Sequence, residues 1–293
     1  MAEPRAPGRA FPVACVLAGV LVLWLAGAVW LNAPGAIERV LAPRGAWTWR
    51  DLVVATLTMP RAVLPSPHLV AIDLWTSIVD WPLASPRNLL FHLAVTAQAT
   101  LIGFAAGAVL GLLLAAGIVH SRTLDRALLP WVVASQTVPV LAIAPILLVI
   151  LGTLGLSGVW PKAAIAAYLC FFPVTVAMVQ GLRSPQRVDT ELMHVYAASR
   201  WQTFWMLRLP AALPFLLPSL RVAIAAGLVG AMVAELPTGA QAGLGARLLT
   251  GSYYGNTVQI WSALVMAALL GLALTAAVAG IERLALRHRG GAR

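Results

Sequence analysis

The chain has a single lysine, Lys162, and two cysteines, Cys15 and Cys170, in 293 residues. A phosphate-binding loop needs a lysine beside a hydroxyl residue at a helix start. Lys162 lies between Pro161 and Ala163, so no nucleotide site of that kind is present. The two cysteines fall in different apolar runs, which supports neither a disulfide nor thiolate chemistry. No group of His, Cys, Asp and Glu has metal-ligand spacing, so no metal site is expected. Charge is scarce as well, with 10% Asp, Glu, Lys and Arg together. The apolar runs hold essentially no charge at their centres, and His92 and Glu235 lie near run ends. That argues against an intramembrane enzyme, which needs a nucleophile and a base. It also disfavours an ion-coupled carrier or channel, which would place acids or histidines near mid-bilayer.

What is abundant is apolar surface. The sequence is 60% hydrophobic, and its mean hydropathy of +0.87 excludes a soluble globular domain. A membrane-spanning helix takes roughly 20 apolar residues. Runs of that kind are Phe11–Leu31, Leu89–Ile118, Leu129–Gly152, Ala163–Gly181, Leu220–Leu236 and Val258–Ile281. The expected fold is therefore all-α and polytopic, with six transmembrane helices. Lys and Arg bias sets the orientation. With both termini cytoplasmic, the inside segments hold Arg5, Arg9, Arg122, Arg126, Arg183, Arg187, Arg200, Arg208, Arg221, Arg283, Arg287, Arg289 and Arg293. Five of the remaining seven lie in one long external loop, where the bias carries less weight. The net charge of +10 is spread along membrane edges rather than gathered in a stripe. It reads as topology signal and contact with anionic lipid, not as a nucleic-acid surface.

Residues 1–31 resemble a signal peptide at first sight, with Arg5 and Arg9 ahead of an apolar run. The run is longer than a usual signal core and reads as an uncleaved anchor. Residues 32–88 form a long external loop rich in Pro and Trp. Within it, Ser66-Pro67 starts a helix whose apolar face holds Leu69, Ile72, Trp75 and Val79, as an interfacial helix would. Gly103, Gly107 and Gly111 recur every four residues, a ridge for close helix packing. Pro130, Pro139 and Pro145 break the next span beside Gln136 and Thr137. Broken helices line transport paths, although a kinked packing helix, with Gln136 as an interhelical hydrogen-bond partner, fits the same residues. Tyr168 and Phe171 near Pro173 suit a planar ligand, or equally a core or lipid contact. Ala223, Gly227 and Ala231 make a second small-residue ridge. Glu235 follows, and as a carboxylate at an outer span end it is a translocation-path candidate. The alternative is a carboxylate that snorkels to the interface or caps the next loop. Residues 282–293 are a basic tail.

One stretch is too polar to span and too well patterned to be slack loop: 183–220. Ser184-Pro185 predicts a helix start, and Val188, Leu192 and Val195 give a short apolar face opposite Arg187, Asp189, Thr190, Glu191 and His194. Ser199 and Gln202 have the spacing of a capping box for a second helix. That helix carries Trp201, Phe204 and Trp205 and is expected to end or kink at Pro210. The result is an elbow of two short helices.

The elbow resembles the "EAA" loop of the membrane subunits of binding-protein-dependent ABC importers: Glu-Ala-Ala, three residues, Gly, nine residues, then Ile-x-Leu-Pro. Glu191 matches the glutamate, and Leu207-Arg208-Leu209-Pro210 matches the closing tetrad. Leu192 and Met193 replace the alanines and Ala197 replaces the glycine, which implies a stiffer or differently angled elbow. The stretch from Ala198 to Pro214 is similar to the nitrate, sulfonate and taurine subfamily, whose relatives carry thiamine-precursor pyrimidines or riboflavin. Gly243-Leu244-Gly245 after an acidic residue also resembles that subfamily. Residues 89–281 would be the five-helix importer core.

The resemblance implies a bacterial inner-membrane permease subunit without catalytic residues of its own. It binds no cofactor itself. ATP and Mg are used by partner ABC ATPase subunits, and an external solute-binding protein and a second permease copy, identical or paralogous, complete the importer. Leu156-Ser157-Gly158 resembles a fragment of the ABC signature but stops at Val159. Arg187, Val188, Glu191, Leu192, His194, Ala197 and Ser199 would form the ATPase-coupling elbow. Trp201, Phe204, Trp205 and Pro210 would pack it on the core. Gln136, Pro139, Tyr168, Phe171 and Glu235 are the translocation-path candidates.

Overall fold

The computed structural model of the chain describes residues 10–236 and 242–290. The basic segment with Arg5 and Arg9, the loop residues Pro237 to Gln241, and Arg293 lie outside the described residues. Helices α1 (Ala10–Ala36), α2 (Trp49–Leu57), α3 (Pro67–Val79), α4 (Leu89–His120), α5 (Arg122–Ala134), α6 (Val140–Thr153), α7 (Val159–Leu182), α8 (Arg187–Val195), α9 (Arg200–Thr203), α10 (Leu209–Ala234), α11 (Leu244–Tyr253) and α12 (Thr257–Gly290) follow in order, with no strand among the described residues. Among the described residues five helices are long and apolar enough to cross a membrane, Phe11–Leu41, Leu89–His120, Val159–Leu182, Arg200–Ala234 and Thr257–Leu284, or six if the bent pair α5–α6 is one span.

The expected span Leu129–Gly152 is not one helix. α5 and α6 meet at 104°. Val138, forced to extended backbone by the proline that follows, makes the corner, and Pro139 caps α6. Each arm, 13 and 14 residues, is too short to cross alone. Two other expectations shift. The helix forecast at Leu220 begins twenty residues earlier, at Arg200. Pro210 neither ends nor breaks it, because a π turn over Phe204–Arg208 precedes the proline, with the Leu209 N–H donating to the Phe204 carbonyl. Pro210 follows that turn inside the continuous helix, which runs on through it to Ala234.

The chain divides into two compact units. One comprises residues 1–89 and 247–265. In it, buried Asn32 holds the loop after α2: its Nδ2 donates to the Leu64 carbonyl at 2.8 Å and its Oδ1 accepts from Val63 N–H at 2.7 Å. Trp24 donates to the Pro65 carbonyl at 3.0 Å and lies 4.9 Å from Trp261. Ser66 stands at the predicted N-cap of α3, yet its hydroxyl donates to Leu57 O rather than capping. The face of α3 with Ile72, Trp75 and Val79 is exposed, while Val70 and Ser77 turn inward.

The other unit comprises residues 90–246 and 266–293. Its centre is α7, lodged between α4 and α10 through small residues. A Cβ at Gly103 would lie 2.4 Å from the Ala166 Cβ, and one at Gly107 would lie 2.6 Å from the Cys170 Cβ. From the other side, a Cβ at Gly227 would meet the Cys170 Sγ at 2.6 Å. Both ridges read from the sequence are therefore used, against the same helix. Val174, Met178, Leu182, Phe204 and Ala212 continue this core toward the elbow. Since the backbones have no room to separate without loss of packing, Gly107→Leu should destabilise the chain by at least about 1–3 kcal/mol. Gly19→Leu, where nothing lies within 4 Å of the new Cβ, should be neutral. Thermal unfolding in detergent measures both.

Candidate functional site

The elbow is built from local hydrogen bonds. α8 starts later than Ser184-Pro185 suggested: Gln186 is its N-cap, and Asp189 accepts from the Gln186 N–H at 3.1 Å. At its other end, Ala197 N–H donates to His194 O and Ala198 N–H to Met193 O, both at 2.9 Å. These two bonds form a Schellman motif with Ala197 in the left-handed position, φ +50°. Alanine therefore adopts here the conformation that glycine would supply, and the chain carries the Cβ strain of doing so. The elbow keeps its turn despite the alanine. The Ser199 capping box is present: Gln202 N–H donates to Ser199 Oγ at 3.2 Å and Ser199 N–H to Gln202 Oε1 at 2.8 Å.

α8 turns its apolar side outward. Val188, Leu192 and Val195 are 70%, 52% and 82% exposed, and the Arg187–Glu191 pair at 2.8 Å lies beside them. Thr190 and His194 sit on the other side of the helix and line a cavity with His120, Arg122 and Arg208. His194 is thus turned away from Val188, Leu192 and Val195. Of the three aromatic residues expected to pack the second helix, only Phe204 is buried, and it lies 5.0 Å from the His120 ring. Trp201 and Trp205 are exposed, stacked around Phe204 at centroid distances of 6.1 and 5.6 Å.

α9, the π turn and α10 form one continuous helix from the elbow to Ala234. Glu235 follows its far end and is fully buried, which overturns the snorkelling alternative, while its bond from the Gly245 N–H is the loop-capping one. Its carboxylate accepts from Thr96 Oγ1 at 3.0 Å, Gly245 N–H at 2.9 Å and Lys162 Nζ at 3.3 Å. Lys162 also donates to the Ala242 carbonyl at 2.5 Å. Thr96 in turn accepts from Leu244 N–H at 2.8 Å, and His92 Nδ1 accepts from Gly243 N–H at 3.0 Å. One carboxylate thereby joins α4, α7, α10 and the start of α11. The Gly-Leu-Gly run is explained by the same contact. Gly243 has φ +126°, and a Cβ there would stand 2.0 Å from the Glu235 Cδ.

The path candidates do not share one surface. Gln136 and Pro139 are exposed at the α5–α6 corner, whereas Phe171 and Glu235 are buried. Tyr168 donates its hydroxyl to the Ser135 carbonyl. That carbonyl would be bonded by the N–H four residues on, but residue 139 is proline and has none. Tyr168 therefore supports the bend, with its ring 5.9 Å from Phe171. Sequence reasoning missed Thr96, His92 and the role of Lys162. The available signal was charge: the only lysine and a lone carboxylate both border apolar runs at the same predicted side of the membrane.

A family model described as "binding-protein-dependent transport system inner membrane component" matches residues 107–288, which includes the elbow and the polar cluster around Glu235. The chain is similar to the formylaminopyrimidine transport permease protein ThiX of Halalkalibacterium halodurans, 36% identical over 68% of this chain and 77% of the relative. It is similar to the riboflavin transport system permease protein RibX of Chloroflexus aurantiacus, 34% identical over 78% of this chain and 81% of the relative. It is also similar to the taurine transport system permease protein TauC of Escherichia coli, 26% identical over 78% of this chain and 82% of the relative.

Two substitution series test this geometry by thermal unfolding. Ala197→Gly should stabilise the chain by about 1 kcal/mol, because it removes left-handed strain. Lys162→Met or Glu235→Gln alone should cost about 3–5 kcal/mol, since each leaves a buried polar partner uncompensated. The double variant should cost clearly less than the sum of the two.

Proposed function

The chain belongs to the family of binding-protein-dependent transport system inner membrane components and is a multi-pass membrane permease subunit, and we propose that its elbow is where separate ATPase subunits drive transport. The observation that carries this reading is the outward apolar face of α8. Val188, Leu192 and Val195 lie on a short capped helix outside the spans, where apolar side chains facing water are unfavourable without a partner. The Arg187–Glu191 pair would rim that contact. His194, turned to the other side, is left out of it. Ala197 and Ser199 act through geometry, as the Schellman turn and the cap that fix the angle between the two helices.

ATP and Mg would be bound by the ATPase partners, since this chain lacks a phosphate loop. Both termini and the elbow would face the cytoplasm, and an external solute-binding protein would deliver cargo to the opposite side. A second permease copy would complete the path. Motion of the ATPases would push α8, and the helix Arg200–Ala234, 35 residues and roughly 50 Å long, would carry the displacement to the Glu235 end. The cargo is a small polar organic solute. Two relatives at 34–36% identity are named for a formylaminopyrimidine and for riboflavin, which favours a heterocycle over the taurine named for the 26% relative. The exposed Gln136 at the α5–α6 corner is the contact proposed for it.

Replacing both Val188 and Leu192 by Glu tests the coupling role. The variant should keep its unfolding temperature, because both side chains are exposed, and should lose co-purification of the ATPase together with ATP-driven uptake. Retained co-purification and uptake would refute the proposed docking face.

A further inference from the structure

Beneath α8, on the side away from its apolar face, lies an open cavity of about 790 Å³. Arg122, Arg200, Arg208, His120 and His194 line it, and no carboxylate does. The ion pairs among the described residues engage Lys162, Arg183, Arg187 and Arg221; Arg122, Arg200 and Arg208 take part in none. Arg208 is only half-exposed and also borders the neighbouring small cavity that holds Arg183. Three unneutralised guanidinium groups around one concavity repel one another. The first turns of α5 and of the long helix Arg200–Ala234 border the same space through Ser121, Arg122, Arg200 and Thr203, so the positive ends of two helix dipoles add to the field.

We propose that this cavity binds a phosphate-class oxyanion, and that the bound anion braces the elbow against the start of α5. Guanidinium groups recognise phosphate oxygens through paired, charge-assisted hydrogen bonds, and Thr190 and Thr203 supply hydroxyl donors at the rim. Two sources have this chemistry: the headgroup of an anionic phospholipid, and a small soluble phosphate compound. In either case the anion lies on the opposite side of α8 from Val188 and Leu192, and occupancy tunes the stiffness of the elbow without blocking that face. The site is independent of the cargo.

The test uses the full chain purified in a neutral detergent at constant ionic strength. Phosphatidylglycerol, phosphatidylcholine, glycerol 1-phosphate and inorganic phosphate are added separately, and the unfolding midpoint is followed together with bound ligand by native mass spectrometry. A rise in midpoint with a retained adduct for phosphatidylglycerol alone assigns a lipid headgroup. A rise with glycerol 1-phosphate or inorganic phosphate as well assigns a soluble phosphate ligand. In either case Arg200→Gln combined with Arg208→Gln should abolish the rise and the adduct, whereas Arg283→Gln, exposed and outside the cavity lining, should keep both. If the double variant does not fold, Arg122→Gln, exposed at the rim, takes its place and should weaken both readouts. An unchanged rise in the cavity variants, a rise with phosphatidylcholine equal to that with phosphatidylglycerol, or no rise with phosphatidylglycerol, glycerol 1-phosphate or inorganic phosphate, overturns the proposal.

Discussion

A single buried carboxylate fixes the architecture of the larger unit. Glu235 accepts from Lys162, Thr96 and the Gly245 N–H, and is fully shielded from solvent. Burial of an ion pair costs several kcal/mol of desolvation for each charge and is tolerated only when the remaining polar capacity is satisfied. Here that requirement recruits backbone as well as side chains, through the turn at Gly243 and the Ala242 carbonyl. The consequence is positional. Helices that otherwise touch through Ala and Gly surfaces are held in register at one end, because this arrangement gives the carboxylate its three donors.

The opposite end of the same helix is organised by surface rather than burial. α8 is held by caps and by the Schellman turn at Ala197, so its shape does not depend on the apolar residues it displays. Val188, Leu192 and Val195, shown to solvent by this frame, are the contact proposed for the ATPase. In the proposed scheme the continuous helix Arg200–Ala234 links that contact to the Glu235 cluster. The π turn at Phe204–Arg208 lets the helix pass Pro210 without a break, so the link is mechanical rather than a hinge. The α5–α6 bend, supported by Tyr168 on the Ser135 carbonyl, is the contrasting device: a corner made permanent by Pro139.

Much of this was legible in the residues. Apolar runs located the spans, and the glycine ridge at Gly103, Gly107 and Gly111 predicted close packing, since only small residues give helices contact area in lipid. The Ser199–Gln202 box was readable because capping is local. What was not legible depends on distance in space. The partners of Glu235 lie 73 and 139 residues away in sequence, and no periodicity links them. The exposure of Leu192 was also unreadable, because an amphipathic pattern shows that a helix has an apolar face but not whether its own chain covers it. The forecast at Pro210 failed for a related reason: propensity penalises proline inside a helix, while a π turn one step earlier removes the clash.

The claim that elbow and buried cluster are two ends of one lever is tested most directly by spin-label distances in the assembled importer. Labels at Val195 on the elbow and Val229 on α10, both exposed, would be measured without nucleotide and with ATP trapped. The lever account predicts an unchanged distance within one chain while the distance between Val195 labels on the two permease copies shifts. A change within the chain of about one helical turn, ~5 Å, would mean that the elbow flexes on its own, and would contradict the account.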